Sequence, residues 1–161
     1  MDDTTSKTRA FELWNEGMQH HQLRDLDGAI RLYTKSIETF PTAEAYTFRG
    51  WAYRGKGRLD DAIAECKRAI AVDPSFGNPY NDIGAYLIAK GELDEAIGWL
   101  EQAKLAPRYE PRHFPHMNLG RVYEAKGMIG RAIEEFEHAL TFQPDEPMCA
   151  ATLKRLRSML N

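Results

Sequence analysis

Cysteine is scarce in this 161-residue chain, and its two copies, Cys66 and Cys149, lie far apart without C-x-x-C or metal-ligand spacing. Nothing in that pattern points to a disulfide framework, a redox pair or a thiolate metal site. Long apolar runs are missing too, none approaching the roughly 18 residues that would cross a bilayer. Neither sign of charge dominates, since the net charge is −3, so no basic field points to nucleic acid and no polybasic run to a lipid surface. The opening MDDTTSKT lacks the basic and apolar regions of a secretory signal. These absences lead us to expect a soluble, cytoplasmic protein that neither inserts into a membrane nor binds nucleic acid.

What is present includes GWAYRGKG, residues 50–57, one hydroxyl short of the phosphate-loop pattern G-x-x-x-x-G-K-[ST]. A longer-range regularity accounts for its glycines. Gly17, Gly50, Gly84 and Gly120 follow one another at intervals of 33, 34 and 36 residues. Twelve residues after each stands Ala29, Ala62, Ala96 or Ala132, followed by Ile30, Ile63, Ile97 or Ile133. Three before each alanine is Leu26, Leu59, Leu93 or Ile129, and Pro41, Pro74, Pro107 and Pro144 close the units. Apolar spacing between glycine and alanine is helical, broken by polar turns such as KGRLDD and KGELDE.

Each unit therefore reads as an antiparallel helix pair, A then B. A glycine opposite an alanine would let the two backbones approach closely. The small residues Ser36, Ala69, Ala103 and Ala139 are expected where B meets the next A helix. Proline stops helix B because it lacks an amide proton and clashes with the preceding turn. Beyond Pro147, Cys149, Leu153, Leu156 and Leu160 recur at helical spacing with Lys154, Arg155 and Arg157 between them. That is the pattern of an amphipathic capping helix, which a repeat array needs to shield its last apolar face.

These columns resemble the tetratricopeptide repeat family, whose 34-residue pattern includes W-x2-L-G-x2-Y, A-x3-F and a closing proline. Tyr46, Gly50, Tyr53, Ala62, Ala69 and Pro74 match it in the second unit. Leu119, Gly120, Tyr123, Ala132, Phe136, Ala139 and Pro144 match it in the fourth. His20 and Leu87 depart from the family's aromatic, and Cys66 from its large residue. The expected architecture is an all-α, right-handed superhelical solenoid. Residues 1–9 would be an N-terminal extension, the four units would cover 10–42, 43–76, 77–112 and 113–146, and residues 147–161 would form the cap.

Local motifs are weaker against this background. Gly50 is the helix-contact glycine, and Gly57, like Gly91 and Gly127, ends helix A. A phosphate loop needs a preceding strand and a Ser or Thr for Mg2+, and the chain offers neither at GWAYRGKG. His113 and His116 stand three apart at a helix start, but no third metal ligand has a natural spacing to them, and His116 shares the packing column of Tyr46 and Tyr80. Cys66 shares the core column of Tyr33, Leu100 and Phe136. The adjacent carboxylates Asp60–Asp61 and Glu134–Glu135 form no acid/base constellation. No catalysis, cofactor or metal is expected.

The resemblance implies that helix A lines a concave groove through its second, fifth, ninth and twelfth positions. Those are Phe11, Trp14, Met18 and His21, then Glu44, Thr47, Trp51 and Arg54. The third unit gives Asn78, Asn81, Ala85 and Ile88, and the fourth Phe114, Met117, Arg121 and Glu124. Aromatics, Met and Arg at such positions have the composition of a protein-binding surface. Asn81, with Asn118 one column over, could engage the backbone of an extended peptide without reading its sequence. A packing role competes for Phe11 and Trp14 beneath residues 1–9, and for Phe114 beside the loop. The family's two-carboxylate clamp is absent, because Trp14, Met18, Phe48, Asn78 and Asp82 occupy its positions. The segment APRYEPRHFPH, residues 106–116, inserts two residues before the last unit and reads as a rigid spacer or a second contact site. The expected function is a scaffold or adaptor that takes a peptide or helix of a protein partner in the groove. The alternative is self-assembly into a homo-oligomer through repeat ends or the groove itself.

Overall fold

The computed structural model describes residues 2–161, and among them are nine α-helices. They are α1 (Asp3–Gln22), α2 (Leu26–Thr39), α3 (Ala43–Gly55), α4 (Leu59–Val72), α5 (Asn78–Ala89), α6 (Leu93–Leu105), α7 (His113–Ala125), α8 (Ile129–Phe142) and α9 (Pro147–Ser158). Each odd-numbered helix from α1 to α7 pairs with the next, each pair stacks on its neighbour, and α9 closes the array on α8. Stacking brings α1, α3, α5 and α7 side by side on one face. No described helix is long and apolar enough to cross a membrane.

The chain punctuates these helices with local chemistry. Side-chain oxygens of Asp2, Asp25, Thr42 and Glu146 accept hydrogen bonds from the backbone amides of Thr5, Gly28, Ala45 and Cys149, satisfying first-turn donors. Helices α3, α5 and α7 end before Gly57, Gly91 and Gly127, whose φ values of 77°, 81° and 76° turn the chain through the left-handed region. In the first pair that column holds Arg24, at φ 63°. A Cβ there is held against the following carbonyl, a strain the other three turns avoid.

Within each pair the contact differs from the glycine-on-alanine expectation. A Cβ added at Gly17, Gly84 or Gly120 would lie 2.4–2.6 Å from side-chain atoms of Tyr33, Leu100 or Phe136. The glycine is thus a hole that receives the large residue four positions beyond the alanine. Only Gly50 meets the alanine, with the Ala62 carbonyl 3.2 Å from its virtual Cβ, because the small Cys66 leaves the backbones free to close. Ser36 adds a polar tie within the first pair, its buried hydroxyl donating 2.7 Å to the Ala10 carbonyl.

Successive pairs are tied by a further column, unnoticed in the sequence. Lys56, Lys90 and Lys126, each just before the turn glycine, reach Asp27, Asp60 and Asp94 on the preceding even-numbered helix. These exposed bridges contribute little individually, at about 0–1 kcal/mol each, but they recur in register at every junction. A deeper tie is Glu65, 1% exposed, which accepts from Arg49 and Arg68 while Arg49 also donates 3.1 Å to Thr34 of the first pair.

Helix α1 starts at Asp3, so residues 3–9 continue the first helix rather than form a separate segment. In α9, Cys149, Leu153 and Leu156 are buried, but Leu160 lies past the helix end and is 62% exposed, contrary to its expected place on the apolar stripe. We expect Gly84→Ala to destabilise the protein by about 1–3 kcal/mol, because buried Leu100 has nowhere to move. Arg24→Gly should stabilise it by about 0.5–1 kcal/mol by relieving the left-handed strain. Urea unfolding midpoints of the two variants, shifted in opposite directions, are the check.

Candidate functional site

The face shared by the odd-numbered helices holds a hollow of about 560 Å³. Trp51 and Arg54 enter it from α3, Asn78, Asn81, Asp82 and Tyr86 from α5, and Phe114 from α7. Tyr109 and Pro111 reach it from the 106–112 connection. Helical spacing explains the convergence: Asn78, Asn81, Asp82 and Ala85 recur at three and four residues and share one side of α5.

An aromatic row leads into the hollow. Phe11 meets Trp14 edge-on at 6.0 Å, Trp14 meets Phe48 at 5.2 Å, and Phe48 meets Trp51 at 4.2 Å. The indole N–H of Trp51 then donates to the Asp82 carboxylate. Met18 and His21 border a smaller recess against Phe48 and Trp51, and the His21 Nδ1 lies 3.2 Å from the Tyr33 hydroxyl. This row crosses from α1 to α5 and fixes the Trp51 ring from both ends.

Polar groups follow on the far side. Asn118 donates 3.0 Å to the Asn81 side-chain oxygen, and Arg121 donates 3.2 Å to the Asn118 oxygen. The asparagines are nearly buried, so they present a tethered pair rather than two free amides. Arg54, Arg121 and Phe114 are exposed, while Asn78 and Met117 are half-buried. The hydroxyl of Tyr86 is buried with no hydrogen-bond partner among the described residues, as is the indole nitrogen of Trp14.

Asp82 has the most altered titration of the hollow. Burial pushes its carboxyl up to about 7, against the opposing pull of the Trp51 hydrogen bond and the Arg54 charge. Burial also raises the Tyr86 and Tyr109 phenols, with the Asp82 charge adding to both.

Three expected groove residues fall elsewhere or are already engaged. Thr47 is fully buried, its hydroxyl donating 2.7 Å to the Ala43 carbonyl one turn back, so it offers nothing to a partner. Glu124 pairs with Arg155 of the capping helix at 2.6 Å. Glu44 accepts from Arg108 at 2.8 Å. The four groove positions of helix A do not include Phe48, Asp82, Tyr86 or Tyr109; Phe48 and Asp82 entered the sequence analysis only as occupants of clamp positions. Asp82 was within reach, for it stands two before the repeat glycine, in the column of Phe48 and Asn118. Tyr109 lies in the 106–116 segment read as a spacer or second contact site, and its place in the wall depends on how that inserted connection folds.

That connection is held by its own arginines. The Gly77 amide donates 3.0 Å to the Arg108 carbonyl and the Arg108 amide 3.0 Å to the Ser75 carbonyl. The Arg108 guanidinium bridges Glu44 and Asp73, and Arg112 donates to the carbonyls of Lys104, Ala106 and Pro107 at the end of α6. Tyr109 packs so tightly on Gly77 that a Cβ there would lie 2.5 Å from it. The segment is thus a spacer that also supplies one wall of the hollow.

Fold and site together define an all-α helical-repeat solenoid with a mixed aromatic and polar recess on its inner face. The tetratricopeptide repeat profile matches residues 16–79 and, in a second form, residues 116–146, together more than half of the chain. The chain belongs to the tetratricopeptide repeat family. It is 32% identical over 97 residues to small glutamine-rich tetratricopeptide repeat-containing protein 2 of Saccharomyces cerevisiae, covering 60% of this chain and 28% of that protein. To heat shock protein STI1 of the same yeast it is 33% identical over 89 residues, covering 54% and 15%. The chain spans less than a third of the length of these curated relatives. The solved structure of Pseudomonas aeruginosa PilF superposes with a TM-score of 0.87 at 23% identity, covering 93% of this chain and 68% of that one, a likeness of fold.

The raised Asp82 value carries a pH signature. Unfolded, the carboxyl ionises near 3.8; folded, it keeps its proton up to about 7, so the native state binds more protons between those values. Stability from this group therefore falls as pH rises through that window, by something on the order of 1–2 kcal/mol after allowing for partial exposure. Denaturant unfolding at pH 4 to 8 should show the component in the wild type, and Asp82→Asn should remove it.

Proposed function

We propose that the protein is a non-catalytic interaction module whose groove takes an extended peptide or a helix of another protein. The observation that carries this is the hollow around Trp51, with the unpartnered Tyr86 hydroxyl in its wall and Arg54 exposed at its edge. An aromatic anchor, an open cationic edge and a buried polar group without a partner together suit a ligand that brings both apolar surface and hydrogen bonds. Trp14, Met18, Asn78, Phe114, Met117 and Arg121 extend the same face, with the Asn81–Asn118 pair between them. Membership of the tetratricopeptide repeat family supports a protein ligand.

A second reading, self-assembly, draws support from the capping end, where Met148, Met159 and Leu160 are exposed. Stacking of such ends would make the array an oligomer. Light scattering across a concentration range separates the two, since a groove-binding adaptor should stay monomeric.

For the groove, peptides enriched from a displayed random library on the wild-type protein should bind Trp51→Ala about thirtyfold more weakly, equivalent to about 2 kcal/mol. Arg54→Ala should weaken acidic ligands in particular. Leu105→Ala, which alters an exposed residue outside the hollow, should have no effect. Equal affinity of the selected peptides for wild type and for the Trp51→Ala, Asn81→Ala double variant would overturn the groove assignment.

A further inference from the structure

The fourth repeat holds a side-chain cluster that the groove does not use. Three residues beyond each repeat alanine, the second and fourth repeats carry a buried carboxylate, Glu65 and Glu135. In the second repeat the carboxylate is met by Arg49 and by Arg68 three residues on, and guanidinium groups cannot ligate a metal. In the fourth, the residue three positions on is His138, and α7 supplies His116 from the column of Tyr46. The substitution of imidazoles for guanidinium and phenol changes what this corner can bind.

The geometry is that of a nearly assembled ligand set. The His116 Nδ1 lies 2.8 Å from one Glu135 oxygen, and the other Glu135 oxygen accepts 2.7 Å from Lys104. One ligand atom from each of His116, Glu135 and His138 lies within 4.8 Å of the other two. A tetrahedral zinc ion with bonds of about 2.0–2.1 Å needs its ligand atoms about 3.3 Å apart, so from a spread within 4.8 Å the set must close by at most about 1.5 Å. His138 is exposed and meets the His116 ring edge-on at 5.5 Å, so rotation of its side chain can make that movement, whereas His116 also stacks on Phe142 at 5.5 Å. Lys104 leaves one carboxylate oxygen for a metal while orienting the other, as an outer-shell partner does.

We propose that His116, Glu135 and His138 form a binding site for a divalent transition-metal ion of the zinc type, clamping α7 to α8. Two imidazoles and one carboxylate suit zinc better than calcium or magnesium, which prefer oxygen donors throughout. Three protein ligands leave a fourth position on the exposed His138 side, open to water or to a donor from a bound protein.

The test uses the full chain stripped of metal with a chelator and titrated with ZnCl2 by calorimetry. One saturable site per chain is expected, with Zn2+ raising the melting temperature of the wild type. His138→Ala removes an exposed side chain, so the fold should persist by circular dichroism while zinc affinity falls by more than about tenfold and the thermal shift disappears. Co2+ in place of zinc should give the visible bands of a low-coordinate site, lost in His138→Ala. His20→Ala, which removes a histidine outside the cluster, should bind as the wild type does. The proposal fails if no saturable binding occurs below about 100 µM Zn2+. It fails equally if His138→Ala and His116→Gln bind zinc as tightly as the wild type. Neither result touches the groove, whose peptide affinity is measured without metal.

Discussion

The close approach of the two helices of a pair at its repeat glycine, filled by one large side chain in three of the four pairs, is the constraint on which the array depends. Tyr33 over Gly17, Leu100 over Gly84 and Phe136 over Gly120 fix how closely the two helices of a pair approach. That spacing sets the pitch at which the next pair can stack. All of these side chains are buried, so the contact excludes water and gains the dispersion of close packing. In the second pair, Cys66 replaces the large knob and Gly50 closes on the Ala62 backbone instead, so the pairs are equivalent in plan but not identical in contact.

Because the pairs are fixed internally, the odd-numbered helices are free to present side chains that the core does not need. This is how Trp51 comes to be half-buried between Phe48 and Asp82, and Arg54 exposed one turn on. The hollow is bounded by the connection before the last pair, where the Arg108 and Arg112 guanidinium groups are engaged by Glu44, Asp73 and backbone carbonyls. Rigidity there would serve the proposed groove. A wall that moved would cost ordering entropy each time a ligand was bound.

Buried carboxylates give the array a second, polar layer of organisation. Glu65 and Glu135 occupy the same column in alternate repeats, each met by cations from its own helix, its partner helix or the preceding repeat. Removing one partner from such a buried pair typically costs about 3–5 kcal/mol, so the column constrains the junctions more than the exposed Lys–Asp bridges do. His116 brings an imidazole to the same site in the fourth repeat, which is why structural and ligand-binding roles meet at that corner.

Sequence by itself determined the helix pairs, their number and their turns, because helical apolar spacing, the turn glycines and the closing prolines act through local backbone geometry that any copy of the pattern repeats. It also pointed to Trp51 and Arg54 of GWAYRGKG, which the structure places on the wall of the hollow, and to its glycines as scaffold. Tertiary structure alone decided what each position faces. Thr47 satisfies its hydroxyl on its own helix and leaves the surface, while Asp82, Tyr86 and Tyr109 enter the hollow from two different segments. His116 found no ligand at a natural spacing along the chain, yet Glu135 and His138 lie 19 and 22 residues away and arrive beside it. Periodicity records which side of a helix a residue occupies. The neighbour waiting on that side is set by how helices distant in sequence pack against one another.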